Sequence, residues 1–288
     1  MAIAVTPSGR PCGACVTGVD LAQPLDDRLV TQLRTAWLKH HVLTFPDQHI
    51  DDDDLERFSL AFGPFGHDPY IAPVPGREHI IAVRREAGET APIFAEAWHS
   101  DWSFQATPPA GTVLNAIVIP PVGGETIFAN QHLALEEMPE ALRARIDGAI
   151  AVHSARRGYS RAGQYGAADV GRSMTIVASD DAEATQRHPL VRWHPETGRQ
   201  GLFGCAGYII ALEGVTDGET LLAELYAWQT QDRFVYAHQW AAGMVVMWDN
   251  RSVLHRATGG YEGFARLLHR TTIGERNQGV QTDAVDSL

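Results

Sequence analysis

An imidazole, a carboxylate and two indoles share five consecutive positions, Trp98-His99-Ser100-Asp101-Trp102. Read as a strand, the stretch puts His99 and Asp101 on the same side, about 7 Å apart along the chain. Such a pair can grip a divalent metal from one direction. A third ligand must come from elsewhere, and His255, shortly after Trp248-Asp249-Asn250-Arg251, is the candidate. Two imidazoles and one carboxylate on one side of an ion leave coordination positions open, which is the ligand set of a non-haem ferrous centre. Taken alone, His-x-Asp is weak, because 13 His and 35 acidic residues also produce such pairs on solvated strands. Here the pair sits between two Trp, in a stretch that otherwise reads as core.

The elements that position these residues must come from a chain of 288 residues, enough for one large domain or at most two. At 44% hydrophobic it is too apolar for a disordered chain, yet no apolar run is long enough to span a bilayer. The N-terminus lacks a basic region followed by an apolar core, so no signal peptide is read and the cytoplasm is expected. A formal net charge of -12 without a basic cluster argues against nucleic acid and anionic membranes as partners. A small-molecule substrate is expected instead. Three Cys do not make a disulfide framework. Cys12-Gly13-Ala14-Cys15 has redox or zinc-knuckle spacing, but no second pair completes it, and ordinary packing is the better reading.

Along the chain, residues 1–20 read as a short β start. Asp26 or Asp27 caps a helix running to about His41, and Val42 to Phe45 is a buried strand stopped by Pro46. Asp51 to Asp54 are either a calcium cluster or, the preferred reading, the N-terminus of a helix whose dipole favours negative charge. Strands are expected at 79–83, 98–104, 111–119, 125–129 and 150–153. Helix 133–146 is divided at Pro139. Segments 190–193 and 201–203 form a hairpin around Pro195-Glu196-Thr197-Gly198. A helix over 217–231 and strands at 234–238, 244–248 and 266–273 complete the pattern, and the tail after Gly274 is expected to fray. Many short strands with few flanking helices indicate a mainly β jelly roll or barrel. The loop-rich zone 63–97 and the polar, Gly-rich stretch 155–187 are expected as lid-like insertions in a single domain spanning 1–288.

Several short motifs follow in order: Trp98 to Asp101, Pro108-Pro109-Ala110-Gly111, Gly123-Gly124-Glu125-Thr126, Trp248 to Arg251, His255, and Arg266-Leu267-Leu268-His269-Arg270. Their joint order and spacing, from about Val16 to Gly274, resemble the taurine/chlorophenoxyacetate dioxygenase family of iron- and 2-oxoglutarate-dependent enzymes. The resemblance implies a double-stranded β-helix core of the jelly-roll, cupin-like kind. It implies His99, Asp101 and His255 as ligands of Fe(II). It further implies Thr126 and Arg266 as the groups that bind one carboxylate of 2-oxoglutarate, whose keto acid chelates the metal. A planar guanidinium suits a carboxylate in two-pronged fashion, which Lys cannot match. Arg270 lies four residues on and shares a strand face with Arg266. It either adds a second contact to the co-substrate, receives an anionic group of the substrate, or is a structural ion pair. The implied reaction consumes O2 and 2-oxoglutarate, releases succinate and CO2, and hydroxylates an unactivated C–H bond. Because Asp101 is present, the chain reads as oxygenating; relatives that halogenate leave that carboxylate out.

The substrate is less legible. In the taurine enzyme an Asn stands four residues before the first metal ligand, and here that position is Ala95, which argues against taurine. Its substrate His lies in the region matching His67-Asp68-Pro69-Tyr70, aligned nearer Asp68. Asp68, Tyr70, Trp102, Phe104 and Tyr159 are the candidates for a pocket with Arg270 at its polar end. The same aromatics can equally be packed core. A pocket of that kind suits an aryloxy or alkyl carboxylate, a sulfonate or a sulfate ester. A metal-holding cupin-like protein without turnover, or a zinc hydrolase with the same ligands, are the alternatives; neither needs the dicarboxylate clamp of Thr126 and Arg266. Homo-oligomers, dimer or tetramer, are expected for such a fold.

Overall fold

Local signals set the two N-terminal helices. Asp26 accepts a hydrogen bond from the Leu29 N–H and caps α1 (Asp27–His40), whose buried stripe is Leu33, Ala36 and Trp37. The helix stops where His41 turns left-handed, at φ 64°, and returns its N–H to the Trp37 carbonyl at 2.7 Å. Asp51 and Asp54 form a reciprocal capping box at the start of α2 (Asp52–Phe62), which buries Leu55, Phe58 and Phe62. The acidic run is therefore a helix start, as its position relative to the apolar residues predicts. The computed structural model describes residues 3–276; the expected fraying beyond 276 lies outside the described residues.

The two helices cover a seven-stranded sheet, whose order in space is β1 (Ala4–Pro7), β2 (Ala14–Thr17), β3 (Val42–Phe45), β13 (Val245–Asp249), β5 (Gly111–Val118), β15 (Arg266–Ile273) and β4 (Ile81–Arg85). Every residue of β3 and β13 is buried, as expected of strands covered on both faces. Facing it is a three-stranded sheet, β12 (Val235–His238), β6 (Thr126–Asn130) and β14 (Val253–Ala257). A second group of three, β11 (Ile209–Glu213), β7 (Ile150–Ser154) and β8 (Thr185–Pro189), and the hairpin β9 (Val191–Trp193) with β10 (Gln200–Leu202) complete the β structure. Short helices α3 (Gln131–Glu136) and α4 (Glu140–Arg145) flank Pro139, α5 (Arg156–Tyr159) is a single turn, and α6 (Gly218–Gln229) packs Leu221, Leu222 and Leu225 against the second group. The chain is thus mainly β with flanking helices. Among the described residues no helix is long and apolar enough to cross a membrane.

Three expectations need correction. No strand covers 98–104. His99 makes one isolated bridge, and the chain then turns, with Trp102 at φ 47° and the Gln105 N–H bonded to the Trp102 carbonyl. A β-ladder cannot pass through a left-handed residue, so the local alternation rule does not apply there. Strands β8, β11 and β14 form where no strand was read. Their short or polar runs, such as Thr185-Gln186-Arg187-His188-Pro189, are ordered by partners distant in sequence rather than by apolar alternation. Strand β4 begins two residues later than expected, because its register is set against Arg266 to Arg270. Cys12 and Cys15 are free, and burial raises the Cys12 thiol, in keeping with a packing role.

Candidate active site

Residues that meet between the two facing sheets come from far apart in the chain. One cavity is lined by Leu114 of β5, Thr126 of β6, Trp248 of β13, His255 of β14, and Arg266 and Arg270 of β15. His99 reaches it by an antiparallel bridge: its N–H donates to the His255 carbonyl at 3.0 Å and receives the reverse bond at 2.8 Å. The imidazole centroids lie 4.2 Å apart. Asp101 Oδ1 is 3.6 Å from His99 Nε2 and 3.7 Å from His255 Nε2. The three donor atoms all fall within 4.8 Å of one another, on side chains that are buried. Because the turn after His99 redirects Asp101, a turn rather than strand alternation makes the pair converge.

The donor set fits a divalent ion. His99 Nδ1 lies 2.8 Å from the Ala97 carbonyl, and an Nδ1–H donated there leaves the Nε2 lone pair facing the centre. Burial, reinforced by His99 and Arg270 against the pull of Asp101, lowers His255 to about 3, so this ring is neutral at neutral pH. Its Nδ1 is buried without a partner, and the ring is held by Trp248 and Phe128 at centroid distances of 4.7 and 6.1 Å. Burial alone would raise the Asp101 carboxyl. The Arg270 guanidinium and the two imidazoles beside the carboxylate outweigh burial and hold the group well below the usual carboxylate range.

Asp101 is aimed by residues that the sequence reading did not single out. Thr112 Oγ1 donates to Asp101 Oδ2 at 2.6 Å, Asn250 Nδ2 donates to Thr112 Oγ1 at 2.9 Å, and Trp248 Nε1 donates to Asn250 Oδ1 at 2.8 Å. This relay occupies the carboxylate oxygen that faces away from the imidazoles. The run Trp248 to Arg251 was the available signal. Its Asp249 is buried behind the site, tied to His194 at 2.9 Å and Arg251 at 2.8 Å.

Arg266 and Thr126 stand together at the other end of the cavity. Trp240 Nε1 donates to Thr126 Oγ1 at 3.0 Å, which leaves the hydroxyl proton free to donate elsewhere. The Arg266 guanidinium lies 6.0 Å from the Trp240 ring centre and donates to the Gly124 carbonyl at 3.3 Å. Among the described residues no carboxylate pairs with it; its Nε is buried without a partner, and burial lowers its pKa. The loop before Thr126 is fixed by Gly123 at φ 65°, where a Cβ would come within 2.5 Å of the Gly260 carbonyl.

Arg270 is different. It forms an ion pair with Asp68, lies 3.7 Å from Asp101 Oδ1, and sits over the Trp102 ring at 5.2 Å. Burial opposes its charge, but Asp68 and Asp101 outweigh burial and raise its pKa. Of the aromatic candidates, Tyr70 stacks on Tyr159 at 4.9 Å, and Trp102 and Phe104 pack edge to face at 5.6 Å. Tyr70 and Trp102 are buried in this cluster. Tyr159 also faces a cavity of about 220 Å³ shared with His99, Tyr165, Tyr208 and Arg157. Tyr165 and Arg157 sit in a polar, Gly-rich stretch without periodicity and carried no signal in the sequence, and Tyr208 lies in the short run Gly204-Cys205-Ala206-Gly207 to Tyr208 between two strands, where no pattern marks it.

The chain is similar to known proteins over most of its length. The family described as "Taurine catabolism dioxygenase TauD, TfdA family" matches residues 4–272. The (S)-phenoxypropionate/alpha-ketoglutarate-dioxygenase of Delftia acidovorans is 38% identical over 266 residues, covering 88% of each chain. The alpha-ketoglutarate-dependent sulfate ester dioxygenase of Pseudomonas putida is 32% identical over 282 residues, covering 96% of this chain and 91% of that one. A taurine dioxygenase from Burkholderia xenovorans has a similar structure, with TM-score 0.78 and 31% identity over 96% of this chain and 92% of that one. With a match over nearly its whole length and a three-ligand cluster at its centre, this chain belongs to the TauD, TfdA family and is a metal- and 2-oxoglutarate-dependent dioxygenase.

Proposed function

We propose that the metal is Fe(II), held by His99, Asp101 and His255, and that the enzyme hydroxylates a small organic acid: an aryloxy or alkyl carboxylate, a sulfonate or a sulfate ester. The observation that carries this reading is the convergence of three donor atoms within 4.8 Å, beside a buried arginine that lacks a carboxylate partner. A zinc hydrolase or a storage protein has no use for such an arginine. The relatives named above act on acids and esters of these kinds by their names, which supports the substrate class.

The residues divide the work. Arg266 and the Thr126 hydroxyl take the distal carboxylate of 2-oxoglutarate and set its orientation. Thr112 and Asn250 hold Asp101 so that one oxygen faces the ion. The bound ion supplies dioxygen activation, coupled to the conversion of 2-oxoglutarate to succinate and CO2. The packed ring cluster of Tyr70, Trp102, Phe104 and Tyr159 excludes water from that chemistry. The same reading makes the core a double-stranded β-helix jelly roll within one domain. Segments 63–97 and 155–187 act as lids over the site, to whose cavities they contribute Phe94, Ala95, Tyr159 and Tyr165. A cytoplasmic homo-oligomer acting without nucleic acid or membrane completes the proposal.

The test is anaerobic addition of Fe(II) and 2-oxoglutarate. A weak visible charge-transfer band is expected with both present and none in His99→Ala. Succinate release in air is then followed with aryloxy acids, sulfonates and sulfate esters. A protein that shows no band and binds no 2-oxoglutarate is not the enzyme described here.

A further inference from the structure

A threonine hydroxyl both donates and accepts, so Thr126 by itself does not specify a carboxylate. It would accept from an amide N–H or a water equally well. Its surroundings remove that freedom. Trp240 Nε1 donates to Thr126 Oγ1 at 3.0 Å. An indole N–H cannot accept, so this bond runs in one direction only. Thr126 is buried, and among the described residues its hydroxyl donates to no acceptor. The proton is therefore directed into the cavity that Thr126 lines with Arg266.

Sheet register puts the indole there. Strand β12 pairs with β6 so that His238 lies directly opposite Thr126, with the two side chains on one face. Two residues on, just past the end of β12, the Trp240 indole returns to Thr126. It stands at 85° to the His238 ring, with centroids 4.6 Å apart, and lies 6.0 Å from the Arg266 guanidinium. His238 is buried, and burial together with the nearby Arg266 charge lowers its pKa to about 4. The ring that backs the indole is thus neutral and adds no second cation beside Arg266.

One indole therefore touches both groups that face the co-substrate. Arg266 carries donors only, the Gly124 carbonyl already accepts from it, and the Thr126 oxygen already accepts from Trp240. The end of the cavity presents N–H and O–H groups and a positive charge. A carboxylate only accepts and matches such a wall. An amide or an alcohol, which must also place its own N–H or O–H, does not.

We propose that Trp240 is a positioning residue for the co-substrate: its N–H turns the Thr126 hydroxyl proton toward the distal carboxylate of 2-oxoglutarate before that ligand arrives. This rests on the reading above that Arg266 and Thr126 take that carboxylate. Because the hydroxyl is oriented in advance, binding has no reorientation to impose on it. The contribution of Thr126 to affinity then depends on Trp240.

The test is a double-mutant cycle on 2-oxoglutarate binding, read by calorimetric titration of the full chain loaded with Mn(II). Trp240→Phe removes the N–H and keeps an aromatic ring beside His238 and Arg266. It is expected to weaken binding about three- to tenfold, the worth of one neutral hydrogen bond. In the Thr126→Val background no hydroxyl remains to orient, and the same substitution is expected to cost nothing further. Trp240→3-benzothienylalanine replaces the N–H by sulfur at nearly constant shape; it is expected to give the same loss, and it carries the test if the Phe variant does not fold. An unchanged affinity in the position-240 variants overturns the proposal. So does an equal loss in both backgrounds, which would make the indole a packing partner of Arg266 instead. Failure of the Mn(II)-loaded wild type to bind 2-oxoglutarate removes the reading of the centre as well, whereas binding without coupling between positions 240 and 126 removes the role of Trp240 alone.

Discussion

Arg266 and Arg270 lie four residues apart on one face of β15, both buried, yet only Arg270 has a carboxylate partner. One strand thus presents a compensated cation beside the cluster of His99, Asp101 and His255 and an uncompensated one at the far end of the cavity. A buried charge without a partner destabilises a fold unless a ligand supplies the partner. The asymmetry separates an arginine whose charge is matched within the fold from one whose charge is not.

Arg266→Met is therefore expected to raise the urea midpoint of the ligand-free protein, because it removes a buried unpaired charge. The wild type gains about 2.7 kcal/mol when 2-oxoglutarate with Mn(II) is present at a hundred times its Kd. Relative to Mn(II) alone, the variant gains far less from 2-oxoglutarate than the wild type does. Urea unfolding with and without the co-substrate reads both effects.

Asp68→Asn removes the nearer of the two carboxylates beside the buried Arg270 and leaves only Asp101, at 3.7 Å. Breaking a buried pair of this kind costs about 3–5 kcal/mol. The loss is expected in denaturant unfolding of the ligand-free protein, where neither metal nor substrate contributes.

Thr112→Val preserves shape but removes the donor to Asp101 Oδ2. Metal affinity is expected to fall about 10- to 100-fold, and Thr112→Ser to keep it. Competition with a chromogenic chelator measures the change. An unchanged affinity in the Val variant would mean that the relay from Asn250 does not aim the carboxylate.

The buried His153 predicts a pH dependence. Burial, with His188 and Arg192 adding to it, lowers its pKa from the usual 6.5 to about 3. The folded state keeps this ring neutral while the unfolded chain takes up a proton below 6.5. Its contribution to stability is thus intact above that pH and erodes as pH falls toward 3, with a slope of up to about 1.4 kcal/mol per pH unit. His153→Phe gives up the contact with Ser103 Oγ at 3.0 Å and is expected to be less stable at pH 7 by about 1 kcal/mol. Between pH 6.5 and 4 its stability is expected to fall less steeply than that of the wild type. Parallel slopes in urea titrations across that range would exclude His153 as a source of acid sensitivity.

What the sequence by itself determined is mostly local. Asp26 and Asp51 announce helix starts because capping is settled within four residues. The buried runs of β3, β5 and β13 are visible because a covered strand is mostly apolar. The motif order from Trp98 to Arg270 was enough to identify the family, since chemistry restricts residue type at each of those positions. Only the tertiary structure decided which of them meet. His255 faces His99 because two strand edges bridge there, and Asp101 joins them through a left-handed turn at Trp102 that no alternation rule foresees. Asp68 and Arg270 are 202 residues apart, and only the fold shows that they pair. Arg157, on the single turn α5, and Tyr208, in the Gly-rich run before β11, reach the cavity with no periodic signal. The reason is the range of the forces that decide each outcome. Caps and apolar faces depend on neighbours along the chain, whereas the charge state and shape of the site depend on residues that only sheet register brings together.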